Sequence, residues 1–335
     1  MRLVIATGIY PPDVGGPAYY AEGLSAAFRK AGHSVGVVQY GFLKRLPTGL
    51  RHLVYVLKLF PSALFADVVI ALDTFSVALP AVLVCSVTRT PLIIRTGGDF
   101  FWEAYVERTN HLTPLQRFYQ EHKPFTLKEC AIFRLTKFIL HRATIVFSTT
   151  MQRDIWLTPY KLNATRTEII GNAVEEHLKS EAPQKKNFLW HVRPSAIKNK
   201  EHVRSAFAKA RTLHPDITLE EGVLPKAELL SRMRNCYAVI LPSVTEISPN
   251  YILDALRFRK PFIMDKYSGL ASWLAPYGTV VDPLNEDDIA NALARLAEPE
   301  GYEEAKKKAA AFSFIRTYDD VAKDFLGLIE RKRLS

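Results

Sequence analysis

Short apolar runs that pass straight into Gly/Pro loops, and from there into amphipathic helical stretches, recur along almost the whole chain. Arg2–Thr7 holds the first, an unbroken apolar run of the kind a parallel strand shows when both its faces are covered. The loop Pro11-Pro12-Asp13-Val14-Gly15-Gly16-Pro17 follows, and then a helix predicted from about Ala18 to Lys30 that stops at Gly32. Val35–Tyr40, Val68–Leu72, Pro91–Thr96 and Thr144–Ser148 read as further strands, most of them separated by helical segments.

The second half repeats the pattern. Phe188–Val192, Tyr237–Leu241, Pro261–Met264 and Thr279–Val281 are strand-like. Lys200–Leu213 places Val203, Phe207, Ala210 and Leu213 on one helical face, and Lys226–Arg234, Asn250–Arg257 and Asp287–Leu296 read as helices. Strands alternating with helices over 335 residues, about twice a usual domain, predict an α/β chain of two Rossmann-like doubly wound domains facing across a cleft. The polar stretch Glu175–Lys186 is the expected linker, which sets the domains at 1–174 and 175–315. In such sheets ligands bind beyond the carboxyl ends of the strands.

Composition removes several classes. Hydrophobic residues make up 48% and charged residues 23%, which excludes a disordered chain. The three cysteines are far apart, and no CxxC or HExxH spacing occurs, so neither a disulfide framework nor a familiar zinc site is supported and a reduced, cytoplasmic protein is expected. The opening apolar run is too short for a signal peptide. Leu53–Leu72 is broken by Lys58, Pro61 and Asp67, and Ser76–Val87 falls short of the ~20 residues of a membrane span.

The net charge of +10 is unevenly spread: residues 1–175 hold 19 Lys/Arg against 12 Asp/Glu, and residues 176–335 hold 25 against 22. Between Glu22 and Asp67 lie six basic residues and no acid. Such a patch suits nucleic acid, anionic lipid or an anionic small molecule, and charge alone does not choose.

No GxxxxGK[ST] occurs, and neither Gly15-Gly16 nor Gly97-Gly98 extends to GxGxxG. Gly15-Gly16 still follows the first strand and precedes a helix, where backbone amides and a helix N-terminus meet an anion; a tight turn needing positive φ is the equal alternative. More informative is the stretch from Leu241 to Leu256. A strand ends, Glu246 follows in a loop, and Ser248-Pro249 reads as an N-cap with proline at the first helical position. That leaves the amides of Asn250 and Tyr251 for a phosphate, bracketed by Glu246 and Asp254. The alternative is an ordinary capped helix with a solvated Asp254.

Pro242-Ser243, Glu246, Ser248-Pro249-Asn250, Asp254 and Arg259-Lys260-Pro261, in that order, resemble the Glu-x7-Glu region of retaining GT-B glycosyltransferases, specifically family 4. Three further places are similar to the same family: Ile9-Tyr10-Pro11-Pro12 with Gly15-Gly16 ahead of Ala31-Gly32-His33, Arg193 with Lys198-Asn199, and Ile170-Gly171-Asn172-Ala173-Val174-Glu175. The chain departs from the pattern where Asp254 replaces the second Glu, Ile247 and Pro249 replace glycines, and Val192 stands for the Gly before the Arg.

The resemblance implies transfer of a sugar from a nucleotide-sugar donor, with retention, to a saccharide or lipid-linked acceptor. It implies an acceptor domain first, a donor domain second, and a final helix at 316–335 packing back on the first. Arg193, Lys198 and the helix amides would stabilise the leaving diphosphate, Glu246 would bind sugar hydroxyls and Asp254 the ribose. With no Asp-x-Asp in the chain, the reaction is expected to be metal-independent, with no cofactor beyond the donor and no nucleic-acid partner. A nucleotide-sugar epimerase of the same architecture, and a degenerate GT-B-like binding protein, are the alternatives.

On the first domain, Gly97-Gly98-Asp99-Phe100-Phe101-Trp102-Glu103 follows a strand directly. Acids and aromatics there suit a sugar, which makes Asp99 a candidate for the transferred sugar or acceptor, with Trp102 and Glu103 beside it; a buried aromatic turn is the alternative. Asp73-Thr74 is a weaker candidate of the same kind. Gly41–Phe65 and 123–142 mix Lys44, Arg45, Arg51, Lys58, Lys123, Lys128, Arg134, Lys137 and Arg142 with large apolar residues. Basic amphipathic helices of this kind fit an anionic membrane surface, and hence a peripheral place on the cytoplasmic membrane face; a core-packing helix with a wet basic face is the alternative.

Overall fold

A computed structural model of the chain describes residues 1–13, 15–121 and 125–334; Val14 of the first loop and Lys123 of the second basic stretch lie outside these. The chain forms two compact units, one of residues 1–101, 123–173 and 316–335, the other of 102–122 and 174–315.

In the first unit β1 (Arg2–Thr7), β2 (Ser34–Gln39), β3 (Val68–Ala71), β4 (Leu92–Thr96), β5 (Thr144–Phe147) and β6 (Thr167–Ile169) form one sheet, in the order β2-β1-β3-β4-β5-β6. Every pairing is parallel. The second unit builds β7 (Lys186–His191), β8 (Ile217–Gly222), β9 (Ala238–Leu241), β10 (Phe262–Asp265) and β11 (Thr279–Val281) into a second parallel sheet, β11-β10-β9-β7-β8. The apolar runs become strands because each sheet has a hydrophobic cluster on both faces. Two strands had no such signal. β6 is only three residues long, and β8 is an edge strand whose Glu220 and Glu221 stay partly in solvent.

Both sheets follow one logic: the second strand lies outside the first, and the third lies on the first strand's other side. The direction in which strands are added across the sheet therefore reverses between β1 and β3, and between β7 and β9, which are the switch points where doubly wound sheets hold ligands.

The helix Tyr318–Leu334 packs on the helix Gly16–Lys30 of the first unit, with Phe28 and Phe325 edge to face at 6.3 Å. Gly23 makes the approach possible, since a Cβ there would fall 2.5 Å from the Tyr318 ring. Residues 102–122 go with the second unit although the sequence divides the chain at 174. The reason is polar docking: the Leu115 amide donates to Thr245 Oγ1 at 3.1 Å, Gln116 donates to the Tyr267 carbonyl, and Glu107 accepts from the Ala196 amide at 2.8 Å.

The helix Thr48–Leu64 has two apolar faces. Tyr55, Leu59 and Ala63 enter the core, whereas Leu50, Leu53, Leu57, Phe60 and Leu64 form an exposed stripe, Leu57 with 67% of its surface in solvent. Among the described residues no helix is long and apolar enough to cross a membrane.

Candidate functional site

The second switch point gathers the residues singled out in the sequence. The loop leaving β7 carries Arg193 and ends in a short turn, Ala196–Lys198. The loop leaving β9 carries Pro242 to Pro249. Asn199 locks the two together. It is buried, its backbone takes the left-handed conformation at φ 60, and its amide group donates to the carbonyls of Pro242 (3.1 Å) and Pro283 (2.6 Å). The Val244 amide adds a bond to the Ile197 carbonyl at 2.8 Å. In consequence Lys198 Nζ reaches Glu246 Oε1 at 2.5 Å, both side chains mostly buried. Arg193 is exposed and makes no hydrogen bond or ion pair among the described residues. An unpaired guanidinium in the loop that also carries Lys198 can take an anion.

Asp265 closes the β10 end of this region. It is wholly buried, and among the described residues neither of its carboxylate oxygens has a hydrogen-bond partner of good geometry. Burial first, and then the Glu246 charge, hold its carboxyl well above the usual carboxylate range. Ser243 Oγ is another buried atom here without a hydrogen-bond partner among the described residues. No sequence motif marked Asp265; its place at the end of a fully buried strand is the signal that could have done so.

The helix at this site, Asn250–Arg257, begins one step later than its sequence suggests. Its cap is Pro249, not Ser248, because Pro249 at ψ 77 is outside the helical region. The Asn250 amide turns back to the Ser248 carbonyl at 2.9 Å, so it is not available as expected. The Tyr251 amide has no partner among the described residues and remains open. Tyr251 also braces β7, its hydroxyl accepting from the His191 amide at 3.0 Å. Asp254 is buried between two cations: Lys226 donates to one oxygen, and Arg257 lies 3.4 Å from the other. Arg257 also pairs with Glu175 at 2.8 Å. The alternative of a solvated Asp254 is thereby overturned.

The first switch point looks different. Gly15 has φ 156, a conformation that favours glycine, and a Cβ there would press on Ile9 at 3.1 Å. The amides of Gly15 and Gly16, at the start of the first helix, make no hydrogen bond among the described residues. Asp73, after β3, accepts from the amides of Phe75 (3.0 Å) and Val77 (2.8 Å), and burial raises its pKa. Asp99 does not face open space beyond β4: it is wholly buried and accepts from Trp156 Nε1 at 2.7 Å. Trp102 is equally interior, its indole donating to the Thr113 carbonyl at 2.7 Å. Asp99, Phe101 and Trp102 thus form a buried aromatic turn, while Phe100 stays half exposed and Glu103, in the first turn of the helix Phe100–Thr109, is half-buried.

Among the described residues no group of three or more His, Cys, Asp or Glu is disposed to hold a metal ion.

Two parallel α/β units with these strand orders are the GT-B architecture, and the resemblance drawn from the sequence holds at the level of fold. The chain is similar over 99% of its length to 98% of HepE of Anabaena, solved with UDP-glucose, at 14% identity and a TM-score of 0.68. Sucrose-phosphate synthase from Thermosynechococcus elongatus matches over 99% of this chain and 98% of its own, at 14% identity and a TM-score of 0.70. WaaG, a glycosyltransferase involved in lipopolysaccharide biosynthesis, matches over 98% and 99%, at 12% identity and a TM-score of 0.68. No protein-family model matches the sequence, and no curated protein does so either.

Proposed function

We propose that the chain is a glycosyltransferase that moves a sugar from a nucleotide-sugar donor to a saccharide or lipid-linked acceptor, retaining the anomeric configuration. One observation carries the reading: Lys198 and Glu246 meet at the switch point of the second sheet, with unpaired Arg193 in the same loop as Lys198, in a fold shared with HepE along the full chain. Charge that develops on the departing diphosphate meets Arg193, Lys198 and the Tyr251 amide. Glu246, oriented by Lys198, takes sugar hydroxyls. Asp254 contacts the ribose while keeping Lys226 and Arg257. These cations do the electrostatic work without a metal. Glu103, Gly15 and Gly16 are proposed acceptor- and donor-side contacts of the first unit; buried Asp99 and Trp102 shape its loop.

The Asp254 ion pairs favour one second reading, a nucleotide-sugar-binding protein without turnover, because they compete with a ribose for the carboxylate. The exposed leucine stripe of the helix Thr48–Leu64 supports docking on an anionic membrane face, where a lipid-linked acceptor would be found.

Calorimetry with UDP-, GDP- and ADP-sugars tests the reading. Charge-assisted hydrogen bonds contribute roughly 1.5–3 kcal/mol, so Arg193→Ala and Lys198→Ala should each weaken binding of the preferred donor about ten- to a hundredfold. Unchanged affinity in both variants would overturn the site. Binding without transfer to any acceptor would select the second reading.

A further inference from the structure

A cavity stands at the opposite pole of the second unit. It is about 800 Å³, within the range of small-molecule sites, and it opens around the amino ends of β7, β9 and β10, where Lys186, Tyr237 and Pro261 lie. Strands rise about 3.3 Å per residue, so the four-residue β9 and β10 put it more than ten ångströms, roughly, from the Lys198–Glu246 pair.

Its charges do not balance. Three acids line it, and each already has a cation: Asp216 has Lys186 at 2.7 Å, Glu303 has Lys306 at 3.3 Å, and Glu181 has Arg234 at 3.9 Å. Three further cations line it with no ion pair among the described residues: Lys185, Arg259 and Lys260. Lys260 is the telling one. Only 3% of it is exposed, and its ammonium donates to a single acceptor, the Glu181 carbonyl at 2.8 Å. A buried ammonium with donors to spare is costly unless an anion meets it, and burial indeed lowers its pKa. Arg259 adds to the case. It follows the helix Asn250–Arg257 with φ 53, a position where helices usually carry glycine, so backbone strain is accepted while a guanidinium is set on the rim. Tyr237 and Tyr302, stacked at 4.0 Å, form an aromatic wall.

We propose that this cavity is a second ligand site, for a small phosphorylated solute: Lys260, Lys185 and Arg259 take the phosphate, and the uncharged part lies against the tyrosine wall. The site is independent of the carboxyl-end site and of the activity assigned to it.

Calorimetric titration with inorganic phosphate and with glucose 6-phosphate tests it, on the full chain, the exposed double variant Lys185→Gln/Arg259→Gln, and Arg193→Gln as a control for the other site. Glucose 6-phosphate should bind the wild type more tightly than phosphate does. The double variant should lose at least about tenfold in affinity, since each lost charge-assisted bond is worth about that much, with an unchanged melting temperature. Arg193→Gln should bind as the wild type does. Hydrogen exchange should slow in residues 180–186 on binding. The proposal falls if neither probe binds at millimolar concentration, if the double variant binds normally, or if Arg193→Gln is the variant that loses affinity.

Discussion

Beyond β7 and β9 the second unit sets out charge: Lys198 on Glu246, Lys226 and Arg257 on Asp254, and Arg193 held free. Beyond β1, β3 and β4 the first unit, with the same order of its first strands, withdraws it. Asp73 is tied to backbone amides, Asp99 to an indole, and Arg95 lies buried over the Tyr20 ring at 4.0 Å with its donated bond going to the Asn172 amide oxygen. A shared topology therefore fixes where ligands can approach, while the loops decide by what chemistry. A charged, braced pole suits a diphosphate; a pole of buried acids and glycine amides suits a ligand recognised by shape and neutral hydrogen bonds.

The sharpest way to break this contrast is at Asp99. Asp99→Ala strands the Trp156 N–H in the core, and the protein should lose about 2–3 kcal/mol of stability in urea unfolding. Donor affinity, if the proposed site on the other unit sets it, should stay within about twofold. Normal stability with lost sugar transfer would instead put Asp99 in contact with substrate, and the two poles would be alike.

A second, smaller effect comes from Asp265. A carboxyl with a raised folded-state pKa gives its stabilisation below the ordinary aspartate value and loses it as pH climbs through the raised one. Asp265→Asn removes that titration. The variant's stability should therefore gain on the wild type as pH rises above about 4, read as the difference in melting temperature across the series. A constant difference would mean that the carboxyl ionises normally and that the second pole carries one more fixed charge.

How much of this was legible before folding depended on whether the cause was local. Apolar runs foretold most strands, and the end of the helix Asn250–Arg257 falls where the sequence puts it. Motif order brought Lys198 and Glu246 together across 48 positions. The start of that helix was misread because Ser-Pro has two geometries, and only the observed ψ of Pro249 separates them. Partners far apart in sequence were invisible: Lys226 meets Asp254 from 28 residues away, and Trp156 meets Asp99 from 57. Both rest on how loops pack, which no periodicity records. The same holds for residues 102–122, whose allegiance to the second unit rests on single polar bonds such as that from the Leu115 amide to Thr245.

The smallest effect on stability, and the finest test of the contrast, lies in the stripe of the helix Thr48–Leu64. The basic residues first credited with membrane attraction are only partly free. Lys44 pairs with Asp13 at 2.5 Å, Arg51 lies over the Tyr40 ring at 5.2 Å, and Lys58 donates to the Gln39 carbonyl at 2.6 Å. The exposed leucines make the stronger claim, because their burial in lipid removes apolar surface from water at about 25 cal/mol per Å². Leu53→Gln/Leu57→Gln should change folding stability by no more than about 0.5 kcal/mol, as exposed substitutions do. Binding to vesicles of mixed neutral and anionic lipid should nevertheless fall at least about tenfold, and adding salt should weaken wild-type binding without abolishing it. Undiminished vesicle binding in this variant, or its complete loss on adding salt, would assign the attraction to charge and make the first unit's outer face resemble the second's.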